Sequence, residues 1–139
     1  MKKITLLAAL LLTCLAQAQI TTGNISLSGT YSVSLEVSDT DVLITMVGEE
    51  NRWMGLGFGV SSMTAGGDVV SYDNTGFNDR AFLGIGQSPQ LDTQDWTLLS
   101  NDVSGGVRTV VATRDLSGSD GTDFTFDPNA DSLDIVWAN

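Results

Sequence analysis

The 139 residues carry 17 acidic side chains against six lysines and arginines, a net charge of −11, with no histidine and a single cysteine. A chain this acidic lacks the basic patch that phosphate neutralisation needs, so nucleic acid is excluded as a partner and docking on an anionic membrane surface is disfavoured. Without histidine, Ser-His and Cys-His catalysis is excluded too.

The N-terminus reads as a secretory signal. Lys2 and Lys3 form a positive start, Ile4 to Ala16 is an apolar run, and Ala16-Gln17-Ala18 is a small-x-small cleavage site. The run is too short to span a bilayer, so no stable membrane insertion is expected. Residues 1–18 are therefore assigned to the signal, residues 19–139 to one domain, and the product to the periplasm or the extracellular space. Cys14 lies inside the signal behind Thr13, a poor neighbour for lipidation. Cleavage also removes both lysines, leaving four arginines (Arg52, Arg80, Arg108, Arg114) against all 17 acidic residues, a net charge of −13. With no disulfide available, stability must come from a core, and about 120 residues suffice for one.

The mature chain shows strand signals separated by Gly, Asn, Asp and Ser clusters, and no apolar helical period. Tyr31, Val33, Leu35 and Val37 alternate with polar residues. A turn at Ser38–Asp41 leads to a more apolar strand from Val42 to Val47. A further turn leads to the Trp53 strand. Asp68–Tyr72, Arg80–Ile85, Trp96–Leu99, Val107–Arg114 and Leu133–Ala138 read as further strands, with a hairpin turn at Gly105-Gly106. Eight or nine short strands predict an all-β fold, an immunoglobulin-like antiparallel β-sandwich.

The Trp53 strand is unusual. In Trp53-Met54-Gly55-Leu56-Gly57-Phe58-Gly59 the alternation places Met54, Leu56 and Phe58 on one face and Trp53 with three glycines on the other. Bare strand faces accompany the close approach of a backbone or a ligand. Tight packing against the second sheet and an open ligand face are the two readings.

Side chains that could carry chemistry are few. Carboxylate pairs are plentiful, but in so acidic a chain they arise by chance, and no enzyme activity is expected. Oxygen ligands would favour calcium, and Asp115, Asp120 and Asp123 lie in a Gly/Ser-rich loop suited to it, although its spacing differs from an EF-hand. A solvated acidic turn is the alternative. Sugar recognition wants an aromatic platform beside carboxylates and amides. Trp53, Tyr72, Asp92, Asp95 and Trp96 are the candidates, with core packing as the alternative for Trp96; Trp137, between apolar neighbours in the last strand, is expected in the core. Arg114 is expected to pair with a carboxylate at the sandwich edge.

Several blocks share an order with a known family. They are Trp53 to Gly59, Met63-Thr64-Ala65-Gly66-Gly67-Asp68-Val69-Val70, Asp92-Thr93-Gln94-Asp95-Trp96, Arg114-Asp115-Leu116, Asp120-Gly121-Thr122-Asp123 and Ile135-Val136-Trp137-Ala138. In that order and spacing the chain resembles the DOMON domain family, known from dopamine beta-monooxygenase relatives and fungal cellobiose dehydrogenase. The resemblance covers Tyr31 to Asn139 and implies the same sandwich. It also raises b-type haem, held in some members between a methionine, matched here by Met63, and a histidine beyond the closing strand. DOMON domains usually continue past the point where this sequence stops, so a longer product is one expectation. The leading expectation is a secreted, non-catalytic module that binds carbohydrate or haem. The rivals are a haem electron-transfer domain completed by a missing histidine, and an interaction domain without a small ligand.

Overall fold

The computed structural model describes residues 19–139; the signal assigned to residues 1–18 lies outside them. The described residues form eleven strands and no helix. They are β1 Ile20–Thr21, β2 Ile25–Ser26, β3 Ser32–Val37, β4 Asp41–Glu49, β5 Met54–Phe58, β6 Asp68–Asp73, β7 Gly76–Ala81, β8 Gln90–Leu91, β9 Thr97–Ser104, β10 Val107–Asp115 and β11 Ile135–Ala138. One sheet runs β1-β3-β4-β10-β9, with β2 also on β3, and the other runs β11-β5-β6-β7-β8. All pairings are antiparallel. The expected sandwich is therefore present, and three of the eleven strands are two-residue pieces too short to leave a periodic signal.

The alternation in the sequence sets which side chains are inside. Val33 and Leu35 of β3, Val42, Ile44 and Met46 of β4, and Val110 and Ala112 of β10 are buried from one sheet. Met54, Leu56 and Phe58 of β5 and Val70 of β6 meet them from the other. The β9–β10 hairpin turns at Gly105 and Gly106, both at positive φ, as the dipeptide predicts.

Several expectations shift: the strand placed at Trp96–Leu99 runs over Thr97–Ser104, and the closing strand starts at Ile135 rather than Leu133. The strand placed at Arg80–Ile85 begins earlier, at Gly76, because Asp73 closes a tight turn. Its Oδ1 accepts from the Thr75 backbone N–H at 2.8 Å and from the Thr75 hydroxyl at 2.5 Å. Gly84 and Gly86, at φ of 134° and 77°, then keep the segment after Ala81 out of the sheet. Trp137 points inward from an edge strand, so it packs edge-on against Tyr31 at 6.1 Å yet remains 42% exposed. It is not a core residue.

The glycine face of β5 corrects both readings of it. Met54, Leu56 and Phe58 take the interior, so the glycines lie on the outer face of the second sheet rather than against the first. That face is not open either. A Cβ at Gly57 would fall 2.6 Å from the Phe82 ring and 2.9 Å from Val136, and one at Gly55 would fall 3.1 Å from the Trp53 indole. The glycines are seats for aromatic rings folded back onto the strand.

Candidate functional site

Antiparallel β4 and β10 define the two ends of the sandwich. Glu49 faces Val107 at one end and Asp41 faces Asp115 at the other. Eight residue steps separate them, about 25 Å.

At the Asp115 end lies a buried polar cluster. Arg114 of β10 reaches across the sandwich to Asp68 of β6, Nη2 to Oδ2 at 2.8 Å, and to Asp123 at 3.3 Å. Nη2 also donates to the Phe124 carbonyl, while the Phe124 backbone N–H donates to Asp68 Oδ2 at 2.9 Å. The guanidinium rests 5.0 Å above the Trp96 ring and 5.2 Å from that of Phe126. One arginine thus ties together both sheets and the long connection before β11, the pairing expected of it.

Three carboxylates crowd this single cation. Asp68, Asp79 and Asp123 each bring an oxygen within 4.8 Å of the others. Asp68 Oδ1 and Asp79 Oδ1 are buried without a hydrogen-bond partner. Burial pushes Asp68 up to about 6 against the opposing pull of Arg114, and burial pushes Asp79 up to about 7. A shared proton relieves the crowding; a bound cation would do so by the same electrostatics. Of the calcium set read from the sequence, only Asp123 belongs to this grouping. Asp115 is exposed, and Asp120 instead accepts from the Thr122 backbone N–H and hydroxyl, which hold it down to about 2.

The five sugar candidates divide between the ends. Asp92, Asp95 and Trp96 lie at the Arg114 end. Trp96 is only 3% exposed, stacked on Phe58 at 6.0 Å, so it offers no ring face to a ligand. Asp95 Oδ2 accepts from the Ser119 backbone N–H at 2.7 Å, and Asp92 Oδ2 from the Thr122 hydroxyl at 2.5 Å. Both carboxylates tether the chain after β10, and Asp95 also lines the cavity at this end.

Trp53 and Tyr72 come together at the opposite end. They line an open cleft of about 800 Å³ between the β4–β5 turn and the β6–β7 turn, with Glu50, Arg52, Asp73 and Arg108 among its walls. Trp53 is 51% exposed, its ring held over Gly55. Tyr72 carries the Arg108 guanidinium 4.8 Å above its ring and accepts at its hydroxyl from Asn101 Nδ2 at 2.8 Å. Asp73 is neutralised by Arg80 at 2.9 Å. By contrast, the cavity of about 500 Å³ at the Arg114 end is walled by Asp41, Asp95 and Asp115 and holds no aromatic side chain. Arg108 and Arg52 escaped the sequence reading because nothing in their local pattern marks them; only the strand register delivers them to Trp53 and Tyr72.

Haem fits this chain poorly. Met63 is half-buried in the loop after β5 and lines neither the Trp53 cleft nor the cavity at the Arg114 end. The sequence supplies no histidine to face it. No helix among the described residues is long and apolar enough to cross a membrane.

No curated protein matches the chain. The profile of the DOMON domain does match it, over residues 27–139, which takes in nine of the eleven strands whole, both ends of the sandwich and the Trp53 cleft. The chain belongs to the DOMON domain family, whose members are ligand-binding or interaction modules.

Proposed function

We propose that this protein is a secreted, non-catalytic saccharide-binding module whose site is the Trp53 cleft. The observation that carries the reading is the pairing of an exposed indole with polar side chains that can reach a ring of hydroxyls. Trp53 offers a flat apolar face of the kind that covers the C–H face of a sugar. Asn51, Asn74, Thr75 and Glu50 stand around it with donors and acceptors. The glycine at position 55 fixes the platform, because the ring rests against backbone and has no side chain to displace it. Open, shallow clefts of this kind suit one or a few units of an extended chain rather than an enclosed small molecule.

The test is retention of the purified domain on immobilised polysaccharides, with Trp53→Ala alongside. Truncating an aromatic anchor costs about 2 kcal/mol or more, roughly thirtyfold in affinity. Retention that survives Trp53→Ala places the ligand elsewhere. Absence of retention on any polysaccharide, with no change in intrinsic fluorescence on adding oligosaccharides, leaves an interaction domain as the reading.

A further inference from the structure

Arg108 is a cation without a carboxylate. Among the described residues, Arg52 pairs with Glu49, Arg80 with Asp73, and Arg114 with Asp68 and Asp123. Among the described residues, which include all 17 acidic side chains, no carboxylate comes within ion-pair distance of Arg108. Its Nη1 donates to Asn101 Oδ1 at 2.5 Å, and its guanidinium is held over Tyr72. Its Nε is buried and has no partner. Of the two acidic residues in the cleft wall, Asp73 is committed to Arg80 and to Thr75, and Glu50 makes no ion pair with Arg108.

We propose that the Trp53 cleft selects an acidic saccharide, with Arg108 receiving the carboxylate of a uronic acid unit while Trp53 covers the sugar ring. The proposal rests on the saccharide reading and narrows it. A guanidinium fixed on an aromatic face is preorganised to donate to a planar carboxylate, and such charge-assisted bonds are about twice as strong as neutral ones. Arg52, in the same cleft, is held only by an exposed contact to Glu49 at 3.5 Å and is free to turn toward the ligand.

The overall negative charge does not forbid an anionic ligand here. The acidic cluster at the other end lies about 25 Å away, several times the screening length of about 8 Å at physiological salt. Around the cleft itself, Arg52, Arg80 and Arg108 stand against Glu49, Glu50 and Asp73. The neighbourhood is balanced in a protein that is otherwise strongly negative. Short oligomers will bind better than long polyanions, whose remote units meet the acidic remainder of the surface.

The experiment is calorimetric titration with trisaccharides of galacturonate, mannuronate and guluronate, each beside its neutral methyl ester. At least one acid should bind about tenfold tighter than its ester. Arg108→Gln should abolish that preference, so that acid and ester bind alike, while Arg108→Lys should restore only part of it. A preference that needs no variant should also appear: raising salt to about 1 M should narrow the gap between acid and ester. Equal binding of acid and ester overturns the inference and leaves the saccharide reading standing. Acid preference that persists in Arg108→Gln overturns the role of Arg108. A sulfated galactose trisaccharide bound as tightly as the best uronate overturns the assignment to a carboxylate. Absence of binding by every acid and ester overturns the inference. If, in addition, no neutral polysaccharide retains the domain, the saccharide reading falls with it.

Discussion

Both ends of this sandwich hold an arginine over an aromatic ring, and they use it in opposite ways. Arg114 lies over Trp96 in the interior, where three carboxylates and a carbonyl surround it. Arg108 lies over Tyr72 at the mouth of a cleft, where one neutral amide is its hydrogen-bond acceptor. The first cation has more negative charge than it can balance, and the second has none. Burial is what separates them. A charge sealed inside must be matched by the protein's own groups, whereas a charge at an open cleft can be left for a ligand. The buried end therefore reads as structure and the open end as recognition.

The comparison can be broken most forcibly at Arg114. Arg114→Gln removes the cation and strands buried carboxylates, at a cost of about 3–5 kcal/mol. Chemical denaturation should record that loss, while any saccharide binding by the folded fraction should be unchanged. Loss of binding at equal folded fraction would mean that the two ends are coupled.

Acidity sharpens the same contrast. Asp68 and Asp79 have folded pKa values raised to about 6 and about 7 from the ordinary 3.8. A raised carboxyl binds its proton more tightly in the folded state, so these groups favour folding at low pH and lose that benefit as pH rises from about 4 to about 7. Asp73 works in the other direction. Burial opposes its ionisation, but hydrogen bonds from Thr75 and the Arg80 charge hold its carboxyl below the usual range. Its contribution is present above the ordinary aspartate pKa and fades as pH falls through the lowered one. Thermal unfolding against pH should therefore peak on the acid side of neutrality. The decline from there to about pH 8 should be on the order of 2 kcal/mol, and Asp79→Asn should flatten it. A parent profile that stays level across that span would show that the cluster carries a fixed counter-charge.

Between the ends, the glycine strand offers a smaller effect. Gly57→Val must displace Phe82 or Val136, and overpacking of this kind costs about 1–3 kcal/mol. An unchanged melting temperature would mean that the Phe82 ring moves aside freely. Gly55→Val acts on the neighbouring ring instead. It should cost less stability, because Trp53 is half exposed, but it should weaken saccharide binding by lifting the platform. Trp53→Ala should change stability least, within about 0.5 kcal/mol, and binding most. Those two variants distinguish a ring that binds from a ring that only packs.

Much of the fold was legible from residue order. Period-two alternation in the β3 and β4 segments determined which side chains enter the core, because successive strand residues must face opposite sides. Gly105-Gly106 determined a hairpin, because its backbone needs positive φ at both positions. Arg114 was legible as an ion-pair partner, though its partners, 46 and nine residues away, were not. The sequence by itself also determined the net charge and the lack of histidine among these 139 residues. Tertiary structure alone assembled the candidate site. Trp53, Tyr72 and Arg108 come from three separated segments, and only the register of two sheets brings them to one end. Trp96, in the most ligand-like local setting, was taken into the core by Phe58, Phe77 and Phe126. Local sequence fixes which way a side chain points from its strand, but whether that direction ends in protein or in water depends on what the rest of the chain packs there.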